Sequence, residues 1–237
     1  MDSDVLSFVR ISGLSAALGS MIYAVGDVLL LAPKVGPTSG APLAIDTVSR
    51  PELRRRAALL ANLSILPPRR LIWGGLLGVF AAPLVLAGVF QIYQGLRPAG
   101  VAWALPPALL FAYAIAIGPF VHGSFIYLGE TAQALRAGGP TREVLFRSLQ
   151  RQHGVMQLGY AVIFLCTLVA SFWFSAVVAS GRTAFPAWMA AVNPVVATLA
   201  WLGAKRALPQ RARDCTEGAG FNIAYVIFFA LTTATLW

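Results

Sequence analysis

Charge is what this chain has least of. Only 11% of its 237 residues are Asp, Glu, Lys or Arg, against roughly 25% in ordinary globular domains, and that scarcity excludes a fold kept in water by an ionised surface. Two cysteines, Cys166 inside an apolar run and Cys215 in a loop, exclude a disulfide framework and a four-cysteine zinc site; both read as inert thiols. Two histidines, of which His153 falls near a membrane boundary, offer no basis for a metal centre. The chain contains no G-x-x-x-x-G-K-[ST], H-E-x-x-H, G-x-S-x-G or paired C-x-x-C, so no familiar catalytic signature applies. Nothing points to haem or flavin either, and no cofactor is expected.

What is present suits lipid. Hydrophobic residues make up 58% and the mean hydropathy is +0.73. A formal charge of +9 suggests nucleic acid in a soluble protein. Here all eighteen Lys and Arg lie outside the apolar cores and gather in particular loops, a pattern the positive-inside rule explains without a nucleic-acid partner. The expected surroundings are membrane lipids. Sixteen Arg against two Lys, with abundant Ala, fits a GC-rich genome and hence a bacterial inner (cell) membrane.

A spanning helix needs about 20 mainly apolar residues, and that length predicts one all-α transmembrane domain of six spans: 11–32, 71–93, 101–128, 155–179, 186–204 and 221–237. The first is too long for a signal-peptide core and its tail carries Asp2 and Asp4, so it is expected to stay as a helix. Fifteen of the eighteen basic residues fall in alternate loops, those containing Lys34 to Arg70, Arg136 to Arg151 and Lys205 to Arg213. That alternation places these loops inside and both termini outside. Trp73 and Trp201 at inner ends, and Tyr93, Trp103, Trp188 and Trp237 at outer ends, agree as interfacial anchors.

Small residues recur at helical spacing. Gly74, Gly78 and Ala82 make one ladder and Ala108, Ala112 and Ala116 another; such ladders let backbones approach closely, either within the chain or, for the first, across a homo-oligomer face. The one long loop, 34–70, starts as coil in "KVGPTSGAP" and continues in "SRPELRRRAALLANLSIL". There Ser49 and Glu52 form a capping box, and Leu53, Ala57, Leu60 and Leu63 share a helical face. With Arg50, Arg54, Arg55 and Arg56 around its start, this reads as an amphipathic helix over 49–66 lying on the cytoplasmic leaflet. The stretch "PTREVLFRSLQRQH" reads as a cytoplasmic extension of the fourth helix.

Polar residues inside the spans are few and share a depth. "AYAIAIGPFVHGSFIYLGE" (112–130) places His122, Ser124, Tyr127 and Glu130 in the inner half of the third span, and Asp27 lies within about two turns of the inner end of the first. Gln157 and Asn222 belong to the same layer, and Asn193 lies nearer mid-depth. A charge in hydrocarbon costs upward of about 2.5 kcal/mol and normally faces a bundle interior or wet cavity, so Asp27, with Tyr23 and Ser20 on the same face, is expected to look inward. It has two low-cost states, neutral or ionised against a partner such as protonated His122. Each residue also has a structural reading: Asp27 and His122 as interhelical hydrogen-bonding groups, Glu130 as a solvated interfacial carboxylate, Asn193 repairing backbone freed by Pro194, Asn222 starting the last helix. The functional reading assembles Asp27, Tyr23, His122, Gln157, Asn193 and Asn222 as a ligand site, with Asp27, His122 and Glu130 as the candidate catalytic groups.

Three stretches carry a resemblance: "IYQGLRPAG" (92–100), "SGRTAFPAWMAAVNP" (180–194) and "GFNIAYVIFFALTTATLW" (220–237). Together they resemble a family of uncharacterised bacterial six-span membrane proteins. The resemblance implies an all-helical inner-membrane protein and lends no catalytic residue. Three functions stay open on the residues alone. One is binding or transport of a small polar or amphiphilic ligand in an intramembrane cavity. Another is acid/base chemistry on a lipid or isoprenoid, of the isomerase or cyclase type, which needs acid and base within hydrogen-bond reach. The third is a scaffold without ligand.

Overall fold

The computed structural model describes residues 3–32, 57–138, 140–216 and 218–237, and every regular element among them is helical. Four helices are long and apolar enough to cross a membrane: α1 (Ser3–Leu31), α3 (Pro68–Leu96), α4 (Val101–Ala137) and α5 (Arg142–Ala179). Between and after them come α2 (Ala57–Leu63), α6 (Pro194–Ala204), α7 (Gln210–Cys215) and α8 (Gly220–Thr235), with single 3-10 turns at Arg97–Ala99, Ala187–Ala191 and Lys205–Ala207.

Helix α1 shows how these sequences sort their faces. Val9, Ala16, Tyr23 and Leu30 recur every seven residues and are buried, while Phe8, Ile11, Leu18, Met21 and Val25 are exposed. A helix apolar on both faces has no side for water, and the outward face suits lipid. The inward stripe carries Gly19 and Gly26, through which α1 makes the most extensive packing in the molecule, against α3. A Cβ on Gly26 would stand 2.8 Å from the Gly74 carbonyl oxygen, and one on Gly74 would stand 2.7 Å from Leu30 Cγ. The next rung, Gly78, receives the imidazole of His122 from α4. Gly74 and Gly78 of the ladder are therefore covered within the chain by α1 and α4, and Ala82 is buried with them.

Successive long helices run antiparallel. Gly75 of α3 meets Ile126 of α4 while Gly129 meets Leu71, and the Thr131 hydroxyl of α4 donates to Gln152 Oε1 of α5 at 3.1 Å. Helix α4 opens on Gly100, whose φ of 104° lies where a Cβ is disfavoured, so the turn after Pro98 requires glycine. The three prolines Pro106, Pro107 and Pro119 sit inside α4, which nonetheless continues as one helix of 37 residues. Its end runs past the expected span to Ala137, an extension the apolar run does not predict, and α5 starts at Arg142, in line with the polar extension expected there. Helix α8 lies antiparallel to α1: Arg10 donates to the Leu236 carbonyl at 3.4 Å and its guanidinium stands 4.9 Å over the Trp237 ring. In the same half of the bundle Gln91, fully buried, donates to Thr233 Oγ1 at 2.9 Å and accepts from Thr232 Oγ1 at 3.3 Å.

Two expectations are corrected here. The run 186–204 is not one helix. Proline disfavours helical geometry in the residue before it, and Asn193 is extended (φ −139°, ψ 166°), so α6 begins only at Pro194 and has 11 residues. At 1.5 Å per residue that is roughly half of a 30 Å hydrocarbon core. Asn193 caps it, accepting from the Val195 and Val196 amides at 2.9 and 3.0 Å and donating to Ser175 Oγ at 2.9 Å. The expected helix over 49–66 also differs. Residues 49–56, with Ser49, Glu52 and their arginines, lie outside the described residues; the described part, α2, buries Leu60 and Leu63 against Leu30, Leu71, Leu128 and Leu135. Protein rather than lipid covers its apolar face. Gln133 donates to the Leu66 carbonyl at 3.0 Å, Asn62 to the Leu30 carbonyl at 3.2 Å, and Arg70 to those of Val28 and Ala32 at 2.9 and 3.0 Å. These side chains satisfy carbonyls that helix ends leave without partners.

Candidate functional site

Asp27 sits one turn before the end of α1, on the buried stripe, and is 4% exposed. Asn222, in the first turn of α8, donates from Nδ2 to Asp27 Oδ2 at 2.7 Å. From α4, His122 brings Nε2 to 3.6 Å from Asp27 Oδ1, just outside hydrogen-bond length. Its other ring nitrogen faces the α3 backbone in the space that Gly78 leaves open. Tyr23, one turn before Asp27, packs edge-on against His122 with ring centroids 4.7 Å apart. Its buried hydroxyl has no hydrogen-bond partner and points at Gly118 of α4, where an added Cβ would meet it at 2.7 Å.

These four side chains form one end of a cavity of about 140 Å³. It exists because α8 packs mainly on α1 and α6, leaving a gap toward α4 and α5 that side chains fill only in part. Elsewhere in the bundle large rings fill the interior, with Phe228 in contact with both Phe111 and Phe174 and all three fully buried. At the cavity small residues on α4, Ala114 and Gly118, line the space instead. The lining also carries a row of rings in which each touches the next: Tyr160 to Phe164 at 5.8 Å, Phe164 to Phe221 at 5.2 Å, Phe221 to Tyr225 at 5.1 Å. Tyr225 shares a hydrogen bond with Thr167 across 2.9 Å. Among the described residues Asp27 is the one acidic residue on the lining, and no Lys or Arg is on it.

The structure thus brings together Asp27, Tyr23, His122 and Asn222 and leaves out the other candidates. Gln157 is exposed on the outer side of α5 and pairs with His153 at 3.4 Å. The buried stripe of α5 runs through Met156, Gly159, Ile163 and Thr167, and Gln157 falls off it by about 100° of helical rotation. Glu130 is exposed on α4, pointing away from the cavity. Asn193 is committed to capping α6. Two tyrosines were missed by reading for charge and amide groups. Tyr160 is seven residues before Thr167 on the α5 stripe, and Tyr225 lies one turn after Asn222. Tracing the stripe from either polar neighbour would have found them. Among the described residues no three His, Cys, Asp or Glu gather as a metal site.

The chain belongs to a family of unknown function, DUF6796, whose model matches residues 1–236. No curated protein and no solved structure matches it.

Proposed function

We propose that this chain is an integral membrane protein of six crossing segments that binds a small ligand, polar at one end and apolar over the rest, in the cavity beside Asp27. The observation that carries the reading is the unpartnered, buried Tyr23 hydroxyl beside the cavity. Buried polar groups are normally hydrogen-bonded, and the cavity offers that hydroxyl a partner only if something occupies it. Apolar side chains dominate the remaining lining, which is the usual composition of a small-molecule site. The expected result is that the protein purified from its native membrane releases a small molecule on denaturation, identified by mass spectrometry, and that Ala114→Phe, which fills the cavity, carries none. A wild-type protein that releases nothing, and whose melting temperature no small amphiphile raises, overturns the reading.

A second reading rests on the approach of His122 to Asp27. An acid and a base 3.6 Å apart need little movement to exchange a proton with a ligand between them, so the same cavity supports intramembrane acid/base chemistry. Turnover of the released molecule on incubation, lost in His122→Gln, separates it from simple binding.

The crossing pattern follows from charge and from the two shorter helices. With α6 and α8 completing the count, both termini lie outside and the loops containing Lys34, Arg136 and Lys205 lie inside. In a background where Cys166 and Cys215 are replaced by Ser, single cysteines at Ser3 and Arg182 are expected to react with an impermeant maleimide in intact cells, and those at Arg136 and Arg206 only after lysis. The reverse pattern refutes the topology.

A further inference from the structure

Resting on the reading of this cavity as a ligand site, we infer that its ligand is a cation, a small alkylated or quaternary ammonium group. Among the described residues the lining holds one carboxyl group, Asp27, and no Lys or Arg. Arg70, the basic residue bound to the end of α1, is committed to the Val28 and Ala32 carbonyls. Among the described residues the lining thus gives an ionised Asp27 no fixed positive charge, only the His122 imidazole 3.6 Å from Oδ1, and an ammonium ligand supplies one. Asn222 already occupies Oδ2, which orients the carboxyl group and leaves Oδ1 toward His122 and the cavity.

The walls make the same selection by a different force. Tyr23 and the continuous row Tyr160, Phe164, Phe221 and Tyr225 line the same cavity as Asp27 with their rings. A cation within about 6 Å of ring centroids is attracted by their quadrupoles, more strongly once water is excluded. Alkyl groups on the nitrogen fit the apolar lining, whereas a bare ammonium would strand donors there, and an oxygen on the ligand, such as the choline hydroxyl, gives the Tyr23 hydroxyl the partner it lacks. Size sets the upper limit. A dry cavity of about 150 Å³ holds one benzene, so a space of about 140 Å³ admits a tetramethylammonium or choline head and no acyl chain. Such a head reaches the protein either as a free amine or at the end of a lipid.

The test uses the full chain in maltoside micelles, free of choline lipids, and isothermal titration with choline, tetramethylammonium and 3,3-dimethyl-1-butanol, the neutral carbon analogue of choline. Choline and tetramethylammonium are expected to bind at least tenfold tighter than the neutral analogue. Asp27→Asn is expected to erase that preference while leaving affinity for the analogue unchanged, which a merely destabilised site would not do. Equal affinities in the wild type overturn the cationic assignment and leave the cavity as a site for neutral ligands. No binding of any of the three overturns both. The wild-type comparison stands whether or not the variant folds. Dihexanoylphosphatidylcholine binding tighter than choline identifies a lipid headgroup as the source, and choline binding tighter identifies a free amine; either result supports the ammonium class.

Discussion

Gly78→Ala is expected to destabilise the bundle by about 1–3 kcal/mol, the usual cost of forcing one extra methyl into a packed interior, and to abolish ligand retention at the same time. The ideal Cβ at this position lies 2.2 Å from both Cγ and Nδ1 of His122. A ring cannot yield by rotating a flexible end, so either α3 and α4 move apart or the imidazole leaves Asp27. The double variant Gly78→Ala, His122→Ala removes the clash, and its thermal stability in detergent should recover relative to the sum of the single changes, with a coupling of about 0.5–3 kcal/mol. Additive losses would mean that His122 does not occupy the space beside Gly78. The same logic distinguishes Gly78 from Gly154 on α5, where nothing lies within 4 Å of an added Cβ and Ala is expected to be neutral or stabilising.

Asp27 gives the opposite profile, a small effect on stability and a large one on binding. Asp27→Leu removes the acceptor of the Asn222 bond, but interhelical hydrogen bonds in membranes average only about 0.6 kcal/mol and reach about 1.7. The loss is expected in that range, and much of it should return in Asp27→Leu, Asn222→Leu, where no donor is left unpaired. Ligand retention, measured on the same preparations by mass spectrometry, is expected to vanish in both. A stability loss well above 2 kcal/mol with ligand still bound would make Asp27 a structural tie between α1 and α8 and remove it from the site.

Depth along a helix was legible before the structure; rotation about it was not. Asp27, His122, Gln157 and Asn222 were grouped because residue count from a span end gives height, at 1.5 Å per residue. Whether a residue at that height faces the cavity depends on where the buried stripe runs. For α1 the sevenfold spacing through Tyr23 and Leu30 carries Asp27 inward, beside the stripe. For α5 the same construction excludes Gln157 and selects Tyr160. Glu130 shows the same limit: eight residues from His122, it is turned about 80° from it on an ideal helix, and it is exposed. Asn193 was legible as a partner for backbone freed at Pro194, and capping α6 is what it does.

By itself, then, the sequence determined that this is an all-helical protein with apolar helices of membrane-crossing length, because composition and the length of uninterrupted apolar runs decide which backbone can satisfy its own hydrogen bonds away from water. It also determined that a buried carboxyl group would need company. Tertiary structure alone decided which company. Gly26 and Gly74 bring α1 and α3 into backbone contact, Gly78 admits the imidazole, and the packing of α8 on α1 and α6 leaves the gap that Tyr160, Phe164, Phe221 and Tyr225 line. Those are distances between residues far apart in the chain, set by how side-chain volumes fit across helix interfaces, and no local pattern encodes them.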